Sequence, residues 1–192
     1  MRKQSSQGYG VFTDLTYPDR VVSYEQKHFQ PRRQVVLVLL YNPSISSLAF
    51  LLPKKAQLDR RFNQNPIQGG IEFREPIIDA CRREVEEEVG LRRFLEPPRY
   101  IGSELQRCAT VQKKLGSTRE QRFHAVLYPT EETSLCPREE NVARADWVRL
   151  DLIGNCVLPF MSSAKHSVFT HALERATRNG WLPYVAGLRQ VA

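Results

Sequence analysis

A chain of 192 residues, 41% hydrophobic and 26% charged, has the length and balance of one folded domain with a substantial core, 1–192. Its longest apolar run, Val35–Tyr41, is too short to cross a bilayer, and no apolar segment follows the basic start MRKQSSQGYG; the expectation is no membrane partner, no secretory signal and a cytoplasmic location. The formal net charge is +7, which suits a polyanionic partner, although a solvated basic surface accounts for it equally well.

In chain order, residues 1–30 are polar and aromatic without clear periodicity and are read as an N-terminal extension. Gln34–Tyr41 is β-branched and leucine-rich, a buried strand. Asn42-Pro43-Ser44 marks a turn, and Leu48–Leu52 resumes as a strand, so the two are expected to form a hairpin. Ala56–Asn65 reads as a loop and Pro76–Val89 as a helix. Arg99–Cys108 and Arg122–Tyr128 read as strands, Thr130–Asp146 as a long acidic loop, and Trp147–Leu150 as a short apolar segment. Ser163–Arg178 is a closing amphipathic helix that ends near Asn179-Gly180. Strands mixed with two substantial helices point to an α/β or α+β domain. Cys81, Cys108, Cys136 and Cys156 lack metal or redox spacing; four buried or half-buried free thiols is the preferred reading over two disulfides.

The helix from Pro76 carries the chemistry. Pro76 suits the first helical position and Gly90 the position just past the end. Ile77, Cys81, Val85 and Val89 recur every fourth residue and make an apolar stripe. Glu84, Glu87 and Glu88, at i, i+3 and i+4, share another face, while Glu86 points elsewhere. Like charges there repel one another, and the helix dipole disfavours anions at a C-terminal end. A bare acidic face is one explanation. The other is a hard divalent cation, because magnesium and manganese prefer carboxylate oxygens.

The surrounding spacing decides between the two. From Gly69 the chain reads GGIEFREPIIDACRREVEEEVGL. This resembles the Nudix box G-x5-E-x7-R-E-U-x-E-E-x-G-U (U aliphatic) at every position, with Gly69, Glu75, Arg83, Glu84, Val85, Glu87, Glu88, Gly90 and Leu91 at the specified places. The resemblance covers residues 69–91 closely. It implies a Nudix fold, a mixed β-sheet sandwiched between α-helices (an α/β/α sandwich). It also implies a hydrolase that cuts a pyrophosphate bond in a nucleoside-diphosphate-linked substrate with one to three Mg2+ or Mn2+ ions. Glu84, Glu87 and Glu88 would be metal ligands, joined by the Gly69 backbone. Glu75 would pair with Arg83 across the loop–helix junction, and Arg83 would steady a neighbouring glutamate. Gly69 and Gly70 would let the backbone approach a metal or phosphate.

Outside the box the chain resembles the RNA 5′-pyrophosphohydrolase and dinucleoside polyphosphate hydrolase group more loosely. Gln68-Gly69-Gly70, Phe29-Gln30-Pro31 and Trp147-Val148 before a closing helix carry that likeness, although Ile67 stands where the group usually has proline. The likeness implies RNA 5′-triphosphate ends or dinucleoside polyphosphates as substrates, and a further metal ligand from the PREEN loop, Glu140 in preference to Glu139. Lys54, Lys55, Arg60 and Arg61, and secondarily Lys113, Lys114, Arg119 and Arg122, are candidate phosphate contacts; surface solubility is their plainer role. His28, His124 and His166 are read as structural, and Tyr41, Phe62 and Phe123 as core residues in preference to base-stacking ones. Open alternatives are a catalytically weak nucleotide- or RNA-binding regulator, and a pyrophosphatase of nucleotide sugars or oxidised nucleotides. Monomer and homodimer both stay open.

Overall fold

The computed structural model describes residues 18–28, 33–54, 64–108, 119–138, 140, 142–161 and 163–185. Its centre is strand β1 (Arg33–Asn42), buried at every residue after the first. Successive side chains of a strand alternate between faces, so a continuous apolar run needs cover on both sides. Val35, Leu37, Leu39 and Tyr41 enter one core, and Val36, Val38 and Leu40 enter the other.

A six-stranded mixed sheet spreads from β1. On one side β1 runs parallel to β5 (Arg119–Pro129), which pairs antiparallel with β4 (Arg99–Cys108). The other edge of β1 is divided. Val35–Val38 pair with β3 (Ile67–Gly70), and only Tyr41 and Asn42 pair with β2 (Ser47–Pro53). β2 then pairs along its length with β6 (Val142–Arg149). The expected hairpin therefore exists only at its turn, where Asn42 Oδ1 accepts the Ser44 N–H at 3.0 Å. β3, which the pattern does not announce, takes the edge that a full hairpin would have used.

Helices cover both faces, making the expected α/β/α sandwich. Helix α1 (Pro18–His28) and helix α2 (Ile77–Val89) lie on one side. Val22 from α1 and Ile77, Ala80, Cys81, Val85 and Val89 from α2 share a core with the even residues of β1. Burying each such valine or isoleucine contributes about 1.5–3 kcal/mol. On the other side lie a short helix α3 (Ile153–Cys156) and helix α4 (Ser163–Arg178), whose Val168, Phe169, Ala172, Leu173 and Ala176 fill the second core. Gly180, at φ 71°, follows the end of α4.

Four further expectations change. The N-terminal extension contains α1, whose helical pattern is faint because, of its described side chains, only Val22 and Glu25 are buried. Pro76 is the N-cap, with extended φ −63° and ψ 144°, and not the first helical residue. The loop expected to run from Thr130 to Asp146 ends earlier, because β6 begins at Val142; its mixed side chains suit a strand that no side buries fully. Of the thiols, Cys81 is buried but Cys136 and Cys156 are exposed, and all three are free. Among the described residues no helix is long and apolar enough to cross a membrane.

Candidate active site

The site forms where α2 crosses β3. The apolar stripe of α2 faces the sheet, and this orients its glutamates. Glu84 and Glu88 are each 6% exposed, whereas the Glu87 side chain is 51% exposed. The shared acidic face thus contains two buried carboxylates and one open to water. Glu88 Oε2 accepts the Gln68 N–H of β3 at 3.1 Å. A Cβ on Gly69 would overlap the Glu84 carboxylate, so the bare backbone at Gly69 makes room for Glu84. At Gly70 a Cβ would meet only the end of Arg33, at 3.2 Å.

Arg83 sits among the acidic groups. Its Nε and Nη2 donate to Glu75 Oε1 and Oε2 at 2.8 and 2.9 Å. Nη2 also donates to the Gly70 carbonyl at 2.8 Å, and Nη1 to Glu84 at 2.6 Å and Glu87 at 3.2 Å. The expected pair across the loop–helix junction is present, and Arg83 bonds the neighbouring Glu84 as well. The Arg83 hydrogen bond holds the Glu75 carboxyl below its ordinary value, aided by the Glu72 N–H at 2.8 Å against some desolvation. The same pair raises the Arg83 pKa.

The far end of α2 is closed by the loop after β5. Gly90 adopts φ 75° and donates to the Glu86 carbonyl. The N–H groups of Cys136 and Arg138 donate to the carbonyls of Val89 and Glu88 at 3.0 and 3.3 Å. These donors offset the negative end of the helix dipole next to Glu87 and Glu88.

The residues present fit a hard divalent cation. The donors are all oxygen, and two carboxylates are fixed against a strand backbone stripped of its Cβ at Gly69. In the arrangement seen, Arg83 bonds Glu75, Glu84 and Glu87 but offsets only one of their negative charges, and no three acidic, histidine or cysteine side chains among the described residues converge on one point. Glu140 is exposed in the turn before β6. Lys54 is exposed at the end of β2; Lys55, Arg60 and Arg61 lie outside the described residues, as do Phe62, Lys113, Lys114 and Glu139.

Other candidates prove structural. Arg122 is tied to the buried Glu25 of α1 by two 2.8 Å bonds, which takes it out of any phosphate-contacting role. Gln34 donates to Glu25 at 2.7 Å, and its carbonyl lies 2.9 Å from His124 Nε2. Burial lowers the His124 pKa to about 3, so it is neutral. Tyr41 and Phe123 are core residues, as expected. His166 is exposed. On the opposite face, and unannounced by the sequence, the fully buried Glu104 accepts from Ser167 and lies 2.9 Å from His171 Nδ1, which raises the His171 pKa.

Comparison with known proteins agrees with this geometry. The NUDIX domain family matches residues 31–173. Among solved structures, the NUDIX domain of Shewanella oneidensis NrtR, complexed with ADP ribose, superposes with a TM-score of 0.58 at 12% identity, covering 85% of this chain and 100% of that one. A MutT protein from Methanosarcina mazei Go1 gives 0.54 at 16%, covering 79% and 97%. The E. coli dihydroneopterin triphosphate pyrophosphohydrolase gives 0.51 at 17%, covering 64% and 84%. At these identities the likeness is one of fold. No curated protein matches the sequence significantly. The family match spans most of the chain and encloses the whole site: the chain belongs to the NUDIX domain family and is a hydrolase acting on phosphorus-containing anhydrides.

Proposed function

We propose that this protein cleaves a pyrophosphate bond in a nucleotide-type substrate, with Mg2+ or Mn2+, and that RNA 5′-triphosphate ends or dinucleoside polyphosphates are its substrates. The observation that carries the reading is the α2 carboxylate face: Glu84 and Glu88 buried against β3, Glu87 open to water, and Gly69 shaped around Glu84. Three acidic groups at a helix C-terminal end reduce stability unless they serve a ligand.

Glu84, Glu87 and Glu88 would hold one to three ions, with the Gly69 backbone and Glu140 as further contacts. When bound, such ions neutralise bridging phosphates and stabilise charge on the leaving phosphate. The protein's own groups supply the rest. One glutamate would accept a proton from the attacking water, and Glu87, the carboxylate open to solvent, is the one we favour. Arg83, held by Glu75, orients Glu84 and Glu87 through its planar fork.

Support for a polyanionic substrate comes from the net charge of +7 and from Gln68-Gly69-Gly70. Lys54 leads into the basic stretch Lys55–Arg61, which suits a phosphate chain. One solved structure of the same fold is complexed with ADP ribose and another is a dihydroneopterin triphosphate pyrophosphohydrolase; both compounds carry linked phosphates, consistent with the same bond class. The deciding experiment is phosphate or pyrophosphate release, with and without magnesium, from triphosphorylated RNA, dinucleoside polyphosphates, nucleotide sugars and free nucleotides. Magnesium-dependent turnover of the first two is expected, with the RNA reaction weakening as salt rises. No turnover on any member, together with tight nucleotide binding, would replace the enzyme reading with a binding role.

A further inference from the structure

The box loop between Gly70 and α2 is not held by the box alone. Its Arg74 is a non-glycine residue at φ 65°, a left-handed conformation that L-residues rarely adopt. Such strain persists where the surroundings over-determine it; here a local turn, in which the Glu75 N–H donates to the Glu72 carbonyl at 3.1 Å and the Glu72 N–H to Glu75 Oε2 at 2.8 Å, is joined by one helix. Gln26 of α1 donates through Nε2 to the carbonyls of Ile71 and Glu72 at 3.1 and 3.0 Å. Its Oε1 accepts the Arg74 N–H at 3.4 Å. At the other end of the loop, Asp19 Oδ1 accepts the Ile77 N–H at 2.8 Å. Pro76, the N-cap of α2, has no side-chain cap to offer, so Asp19 caps that helix from 58 positions away.

α1 is itself anchored. Val22 is 1% exposed in the core, and Glu25 joins Arg122 of β5 and Gln34 of β1. One rigid element therefore grips both ends of Ile71–Ile77. Within that segment lies Glu75, which holds Arg83 and, through it, the orientation of Glu84 and Glu87. α1 also precedes the segment that matches the family, 31–173, so this grip lies outside the matched region.

We infer that α1 is a clamp on the box loop, and that Gln26 is a positioning residue for the hydrolysis proposed above, on which the kinetic part of this inference rests. Gln26 sets the loop path that presents Glu75 to Arg83, without touching substrate.

The test uses the full chain. Gln26→Ala is expected to lower kcat at least tenfold, to leave KM within about twofold, and to leave the melting temperature within a few degrees. Adding Arg74→Gly should recover much of the lost kcat, because glycine adopts φ 65° without strain and needs less grip. A second readout needs no turnover: amide hydrogen exchange at residues 71–77 should quicken at least tenfold in Gln26→Ala while β1 stays protected. Wild-type kcat with unchanged exchange would overturn the inference. So would a change confined to KM, or a loss of activity that follows a lowered melting temperature without rescue by Arg74→Gly. If the unaltered protein hydrolyses no phosphoanhydride, the proposed activity fails, and exchange at residues 71–77 still decides whether the clamp exists.

Discussion

Arg83 and Glu75 face each other fork to fork, with Nε–Oε1 at 2.8 Å and Nη2–Oε2 at 2.9 Å, and the same Nη2 also binds the Gly70 carbonyl. One planar group thus ties the start of the box loop, its acidic end and the helix that follows. Arg83→Lys keeps the charge but loses the fork, since an ammonium cannot serve both Glu75 oxygens and Gly70 in that geometry. The expected outcome is a fall in kcat/KM of about tenfold or more, roughly 1.4 kcal/mol of transition-state stabilisation, in steady-state assays. Glu75, with its pKa depressed in the fold, contributes stability above its ordinary value of 4.5 and loses it as pH falls through the depressed one. The acid limb of a stability curve should therefore flatten in Glu75→Gln.

Gly69→Ala tests the seat of Glu84. Because the added methyl overlaps the Glu84 carboxylate, either that side chain or β3 must move. Urea denaturation should show a loss of about 1–3 kcal/mol, with activity reduced far more than stability. Gly70→Ala meets only the flexible end of Arg33 and should be much milder in both measurements. Equal effects at the two glycines would refute this account of Gly69.

Glu87→Gln separates chemistry from folding. The Glu87 side chain is half exposed and its bond to Arg83 is 3.2 Å, an interaction worth about 0–1 kcal/mol. Removing a negative charge near the C-terminal end of α2 offsets even that. The melting temperature should stay within a few degrees while magnesium-dependent turnover drops by about a hundredfold or more. Unchanged turnover would sink its assignment.

The buried His124 and the half-buried His171 should respond to pH in opposite directions. His124, pushed down to about 3 by burial, stays neutral in the fold, while an unfolded histidine takes a proton below about 6.5. Stability is lost from this residue as pH falls from 6.5 towards 3. His171, with its pKa raised by Glu104, contributes stability that is full below its ordinary 6.5 and is lost as pH rises through the raised value. In a proton NMR titration the His171 ring signal should move above pH 6.5, while that of His124 should stay fixed down to about pH 4. Thermal melts of His171→Gln should lack the decline on the alkaline side.

By itself the sequence determined what depends on local spacing. The run Val35–Tyr41 declared a strand covered on both faces. The stripe Ile77, Cys81, Val85 and Val89 declared a helix and the face it buries. The box from Gly69 to Leu91 declared the family, and Ser163–Arg178 appears at the bounds its periodicity predicts. These are signals of period and interval, which neighbouring residues carry among themselves. Tertiary structure decided which charges meet. It buried Glu84 and Glu88 but left Glu87 open, and it took Arg122 away from any phosphate to hold Glu25. It divided one edge of β1 between β3 and β2, and it brought Asp19 and Gln26 to a loop some fifty residues ahead of them. The physical reason is that a polar side chain's partner is set by where the chain returns in space, and a hydrogen bond spanning 45 or 58 positions leaves no periodic trace in the residues between.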